Sequence, residues 1–162
     1  MRTNPGDRAA GLPGLVAAVL LVAGCAGTPT VVEPRPTVSD ARGPVVQLAL
    51  SMVGVRYRYG GADPAAGFDC SGLVYYTFTS NGHAVPRTSQ DQFNTAHKIP
   101  LAQAAEGDLV FFQDQERLSH VGIYLGDGRF VHAPSSGGAV SVARLDAPYY
   151  QRHLVAVGRL LP

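Results

Sequence analysis

The sequence predicts an α+β domain in which N-terminal helices pack on an antiparallel β-sheet. Two features carry that reading. Apolar residues recur at helical spacing over 44–53 and again over 70–78. From Asp108 onward the chain breaks into short runs rich in β-branched and aromatic residues, separated by Gly, Asp and Pro. Helices first and strands afterwards is the order of an α+β domain. The 162 residues make one modest domain, and no internal repeat is visible.

Val45, Val46, Ala49, Met52 and Val53 define a helix near 44–53, with Pro44 expected in its first turn and Gly54 ending it. Residues 55–68 hold Gly60, Gly61, Pro64 and Gly67 and read as loop. A second helix begins at Cys70 behind Asp69, a good N-cap, and stops at Asn81-Gly82. A short helix is expected near 88–95. Strands are expected at 108–112, 119–125, 129–133, 139–143 and 154–160.

Composition excludes some classes. The formal charge is +1, so no basic excess exists to neutralise phosphates, which argues against a nucleic-acid binder. Hydrophobic content of 46% is too high for a disordered chain.

Arg2 and Arg8 precede an uncharged apolar run over 12–24, the plan of a secretory signal peptide spanning 1–24. The run is shorter than the roughly 20 residues of a membrane span. Its end, Val22-Ala23-Gly24-Cys25, resembles a bacterial lipobox, which implies cleavage before Cys25 and lipidation of its thiol. A plain signal peptide with an incidental cysteine is the alternative. The mature chain would carry equal numbers of acidic and basic residues, so attachment to a membrane would have to come from lipid. Residues 26–43, with Pro29, Pro34 and Pro36, show no helical or strand period and read as a tether reaching roughly 50 Å. An ordinary disordered N-terminus would look the same.

The cysteines are Cys25 and Cys70. A disulfide between them is one reading of an even count in a secreted chain, but each has its own context. Cys70 falls in the first turn of a helix, on one face with Leu73, Val74, Thr77 and Phe78. The positive end of the helix dipole there stabilises a thiolate. A buried structural cysteine fits the helix equally well. A base within reach is what separates a nucleophile from a packing residue.

His120 and His132 flank an expected hairpin. A two-residue Asp127-Gly128 turn would pair Ile123 with His132 and put the imidazoles on opposite faces. A three-residue Gly126-Asp127-Gly128 loop, with Gly128 left-handed, pairs Gly122 with His132 instead. His120, Gly122, Tyr124, Phe130 and His132 then share a face. The two histidines become diagonal neighbours about 7–8 Å apart, and Gly122 is expected to leave open space beside them. One ring could take the Cys70 proton while the other fixes its tautomer. His83, His97 and His153 read as ordinary exposed residues. Cys70 and two histidines would make three zinc ligands, but no fourth stands at a typical spacing, so neither metal nor cofactor is expected.

Tyr57-Arg58-Tyr59-Gly60-Gly61, Phe68-Asp69-Cys70-Ser71-Gly72-Leu73-Val74, Pro86-Arg87-Thr88-Ser89, Gly107-Asp108-Leu109-Val110-Phe111-Phe112 and His120-Val121-Gly122-Ile123-Tyr124 through His132-Ala133 resemble the NlpC/P60 family. The resemblance covers most of residues 44–160 and gives a catalytic domain at 44–162. It implies a papain-like fold with Cys70 as nucleophile, His120 as base and His132 as the orienting third member. It also implies Tyr57 and the Ser71 N–H beside the oxyanion, with Asp69 and Ser71 toward the substrate; Arg87 or Asp69 is expected to recognise a charged diamino acid. The implied activity is hydrolysis of peptidoglycan stem peptides, between D-γ-glutamyl and a diamino acid, with the D-alanyl cross-link as the alternative bond. A monomer in the cell envelope, held to a membrane by lipid, follows from the same reading. The rivals are a non-catalytic wall-binding lipoprotein and a transferase or deamidase using the same thiol.

Overall fold

A computed structural model describes residues 38–115, 117–136 and 138–161. The 1–24 signal segment, Cys25 and residues 26–37 of the expected tether lie outside the described residues. No helix among the described residues is long and apolar enough to cross a membrane.

Helix α1 runs Val38–Ser51, so it starts six residues earlier than expected and holds Pro44 inside rather than in its first turn. Proline costs an interior helix a hydrogen bond, and here long-range contacts offset that cost. Arg42, 6% exposed, donates from Nη1 to Asp108 and from Nη2 to the Leu161 carbonyl, each at 3.3 Å. Asp108 is also gripped by Arg159, at 2.8 and 2.9 Å. The turn before Pro44 is thus tied to both the sheet and the C-terminal segment.

The next elements follow the expected pattern. Helix α2 is Cys70–Thr79, and helix α3 is Ser89–Thr95, capped by Thr88. The loop before α2 contains a short antiparallel ladder, β1 (Ala62–Asp63) with β2 (Gly67–Phe68). The remaining strands are β3 (His97–Ile99), β4 (Leu109–Asp114), β5 (Arg117–Tyr124), β6 (Arg129–His132), β7 (Ser141–Arg144) and β8 (Leu154–Arg159). They form one antiparallel sheet in the order β3-β8-β4-β5-β6-β7. Helix α4 (Pro148–His153) leads directly into β8. The five expected strands are all present. β3 and α4 were not expected, because three and six residues are too few to display a period.

Both faces of the central strands are buried. Leu109, Phe111, Val121, Ile123 and Val131 pack with Val45, Ala49, Leu73, Val74 and Phe78 of α1 and α2. Their alternates Val110, Phe112, Tyr124 and Phe130 pack with Leu145, Val157 and Tyr150 of α4 on the other side. The period-2 pleat separates these two sets. The arrangement is the expected α+β, papain-like one.

Candidate active site

The first turn of α2 is held by its cap and by a loop laid across it. Asp69 Oδ1 accepts the Gly72 N–H at 2.6 Å, and Oδ2 accepts the Gly60 N–H at 2.9 Å. Arg87 donates to both carboxylate oxygens, at 3.0 and 2.9 Å, and also to the Ser71 hydroxyl and the Gly61 carbonyl. Burial alone would raise the Asp69 carboxyl; Arg87, the Gly72 N–H and Ser71 outweigh it and hold the group below its ordinary 3.8. Asp69, Ser71 and Arg87 are therefore brought together, but chiefly to one another.

Gln92 was not singled out from the sequence. It is fully buried, and its amide nitrogen donates to the Ser71 and Pro86 carbonyls at 3.0 and 2.8 Å. It pins the start of α2 to the segment carrying Arg87. A polar residue on a short, mostly exposed helix was the available signal, and it is indistinguishable in sequence from a solvated one.

Cys70 is a free, partly buried thiol. The Asp108–Tyr124 pair is hydrogen-bonded through the Tyr124 N–H at 2.7 Å. Antiparallel alternation then turns the Val121 N–H away from β4, toward β6. The β5–β6 ladder covers only Ile123–Val131 and Tyr124–Phe130. Past its end lies the Cys70 thiol, whose ionised form the backbone N–H groups of Val121, Ser71 and Cys70 itself favour. The sulfur thus meets the sheet where β5 and β6 part, at the residue after His120. No hydrogen bond among the described residues joins it to either imidazole.

Burial pushes the Cys70 thiol up, and the neighbouring Asp69 charge adds to this. The helix end does supply N–H groups, as expected, but desolvation outweighs them, so the resting form is the thiol rather than the thiolate.

The hairpin adopts the three-residue register, with Ile123 opposite Val131 and Gly128 left-handed at φ 71°. The imidazoles accordingly share a face, with His120 Nε2 2.7 Å from His132 Nδ1. A bulge between Phe112 and Gln113 makes Ser119 the extra residue just before His120. Such bulges re-aim side chains next to functional sites. Gly122 does not leave open space. A Cβ there would lie 2.6 Å from the Phe130 ring, which fills that position. Burial lowers His120 from 6.5 to about 4. Burial, then the neighbouring His120, lowers His132 to about 3. Both rings are neutral at pH 7.

Tyr57 lies close by. Its phenol is pushed up by burial first, then by the charges of Cys70 and Asp69. A groove of about 380 Å³ opens beside His120, between Asp114, Ser119, Ser136, Tyr149 and Tyr150. The other histidines are elsewhere: His83 against Phe78, His97 in β3 and His153 stacked on Tyr149.

The murein DD-endopeptidase MepH of Escherichia coli is 36% identical over 138 residues, covering 77% of this chain and 51% of that protein. The bifunctional muramidase/DL-endopeptidase CwlT of Bacillus subtilis is 41% identical over 119 residues, covering 72% of this chain and 36% of its own. A crystal structure from Staphylococcus aureus, described as similar to lipoprotein of the NLP/P60 family, matches with a TM-score of 0.71 at 33% identity, over 82% of this chain and 45% of that one. The chain spans about half or less of the length of these relatives. Residues 54–159 match the NlpC/P60 family throughout the segment that builds this site, and the chain belongs to the NlpC/P60 family.

Proposed function

We propose that the protein is a peptidoglycan endopeptidase that cleaves a stem-peptide amide by a Cys-His-His mechanism. The observation that carries this is the 2.7 Å contact of His120 with His132 at the strand position next to the Cys70 sulfur. With Nε2 of His120 occupied by His132, its Nδ1 is the nitrogen left to take the thiol proton. The Cys70 sulfur then attacks the amide carbonyl. The oxygen's developing charge falls to the N–H groups at the start of α2 and to the Tyr57 hydroxyl. His120 protonates the departing amine, leaving a thioester on Cys70. His120 next takes a proton from water, which displaces the sulfur and frees the acid.

The amine must leave on the His120 side, since His120 is its proton donor. The groove beside His120 lies on that side and has room for a diamino acid residue. The preferred bond is D-γ-glutamyl–diamino acid. The D-alanyl cross-link is the rival bond, and the relative MepH is named a murein DD-endopeptidase. A non-catalytic wall binder is disfavoured because all three chemistry-bearing side chains are present.

The test is a digest of purified muropeptides with the full chain, read by product mass. The masses identify the bond, and Cys70→Ala should abolish cleavage. Undiminished cleavage by that variant would end the proposal. The lipoprotein reading rests on the lipobox-like end at Cys25 and on the lipoprotein relative. Cys25→Ala should abolish incorporation of labelled fatty acid.

A further inference from the structure

Beyond the three residues above, the far side of His132 is occupied by a group from a distant part of the chain. The Tyr150 hydroxyl lies 3.4 Å from His132 Nε2. Its ring stands nearly perpendicular to the imidazole, at 86° with centroids 5.4 Å apart. It is wedged against Phe130 and Phe112, with centroids 4.9 and 5.2 Å away. Tyr150 therefore has little freedom, and its oxygen is aimed at one nitrogen.

The tautomers follow from the contacts. If His120 is to accept a proton on Nδ1, its own proton must sit on Nε2. That proton points at His132 Nδ1, 2.7 Å away, which must be an unprotonated acceptor. The His132 proton must then be on Nε2, facing Tyr150. The opposite His132 tautomer would set two N–H groups against each other.

We propose that Tyr150 is a positioning residue: its hydroxyl accepts the Nε2 proton of His132, and so holds His120 in the tautomer able to take the Cys70 proton. A tyrosine hydroxyl suits this place because it accepts from His132 while turning its own proton toward the groove it lines. Burial, then neighbouring Tyr149, pushes the phenol up, so it stays protonated and brings no charge near the imidazoles. The chain of contacts then runs His120, His132, Tyr150 behind the nitrogen that the mechanism assigns to the Cys70 proton, and α4 becomes part of the site rather than a connector. This rests on the endopeptidase reading, which requires a bare His120 Nδ1, but the tautomer it assigns is measured without substrate or turnover.

The experiment uses the full chain labelled with [15N]histidine, as wild type and as Tyr150→Phe, which keeps the packed ring and removes the hydroxyl. In the wild type, nitrogen shifts should show His132 protonated on Nε2 and bare on Nδ1. In Tyr150→Phe, that preference should give way to a mixture. kcat on muropeptides should fall about tenfold with KM within twofold, since orientation of the base is lost and substrate contact is not. A wild-type His132 protonated on Nδ1 overturns the proposal with no variant needed. So does Tyr150→Phe with full kcat, or with reduced kcat and an unchanged tautomer. Absence of wild-type cleavage would refute the endopeptidase reading, while the wild-type tautomer would still decide this one.

Discussion

The carbonyl oxygen of Gly61 lies 1.9 Å from the point where a Cβ on Gly72 would begin. The same oxygen accepts from the Asp69 N–H at 3.1 Å and from Arg87 at 3.2 Å. The loop before α2 is therefore seated on the backbone of the helix that carries Cys70. Because the obstacle is backbone, no rotamer change relieves it. Gly72→Ala should cost about 3 kcal/mol, the upper end for overpacking. It should also cut activity more than stability, since the loop and the Cys70 turn must separate. Denaturant unfolding showing a loss within 0.5 kcal/mol would contradict this contact.

Arg87→Lys should not be conservative. A lysine cannot supply the paired donors that Asp69, Ser71 and Gly61 share. The expected loss is about 1–2 kcal/mol at pH 7, moderated by the partial exposure of Arg87. Asp69 is held below 3.8, so its contribution is complete above that value and fades as pH falls beneath it. Wild type and variant should differ in unfolding free energy at pH 7 and converge in acid. A gap that stays constant down to pH 2 would show that the charge pair is not its source.

The activity profile should be unusually broad on the acid side. In the proposed mechanism His120 works as a base only when neutral, and burial lowers it to about 4. The acid limb of kcat/KM should therefore fall near pH 4 rather than near the 6.5 of an ordinary imidazole. A limb near 6.5 would mean that His120 is solvated in the working enzyme. Stability should respond earlier, over the window where activity still holds. Between 6.5 and about 3 the unfolded chain binds protons that buried His120 and His132 refuse, so stability should drop with acid across that window. His132→Gln should flatten that slope.

His132→Gln and His132→Leu should separate orientation from packing. Glutamine can still offer an oxygen to the His120 Nε2–H, whereas leucine offers nothing. We expect kcat to fall about 10-fold for Gln and about 100-fold for Leu, with KM little changed in either. Equal losses would show that His132 serves the core rather than the base.

Much of this site was legible because its parts are local. Asp69 caps α2 three residues before the N–H it binds, and the Gly126-Asp127-Gly128 loop sets the register that puts His120 and His132 on one face. Capping and turn geometry depend on residues a few positions apart, so one-dimensional spacing suffices to read them. The start of α1 was misread for the complementary reason. Its first turns are held by Arg42 reaching Asp108 and Leu161, 66 and 119 residues away, and no local pattern announces such partners.

The chain's own spacing was enough to specify a capped thiol-bearing helix and a hairpin flanked by two histidines, in one of two registers. Packing alone settled which backbone lies on Gly72, that Phe130 fills the space at Gly122, that the thiol is desolvated, and that Tyr150 reaches His132. The division has one physical cause. Hydrogen-bonding geometry between near neighbours is set by a few dihedral angles, whereas burial and long-range contact depend on how all the elements close around a shared core.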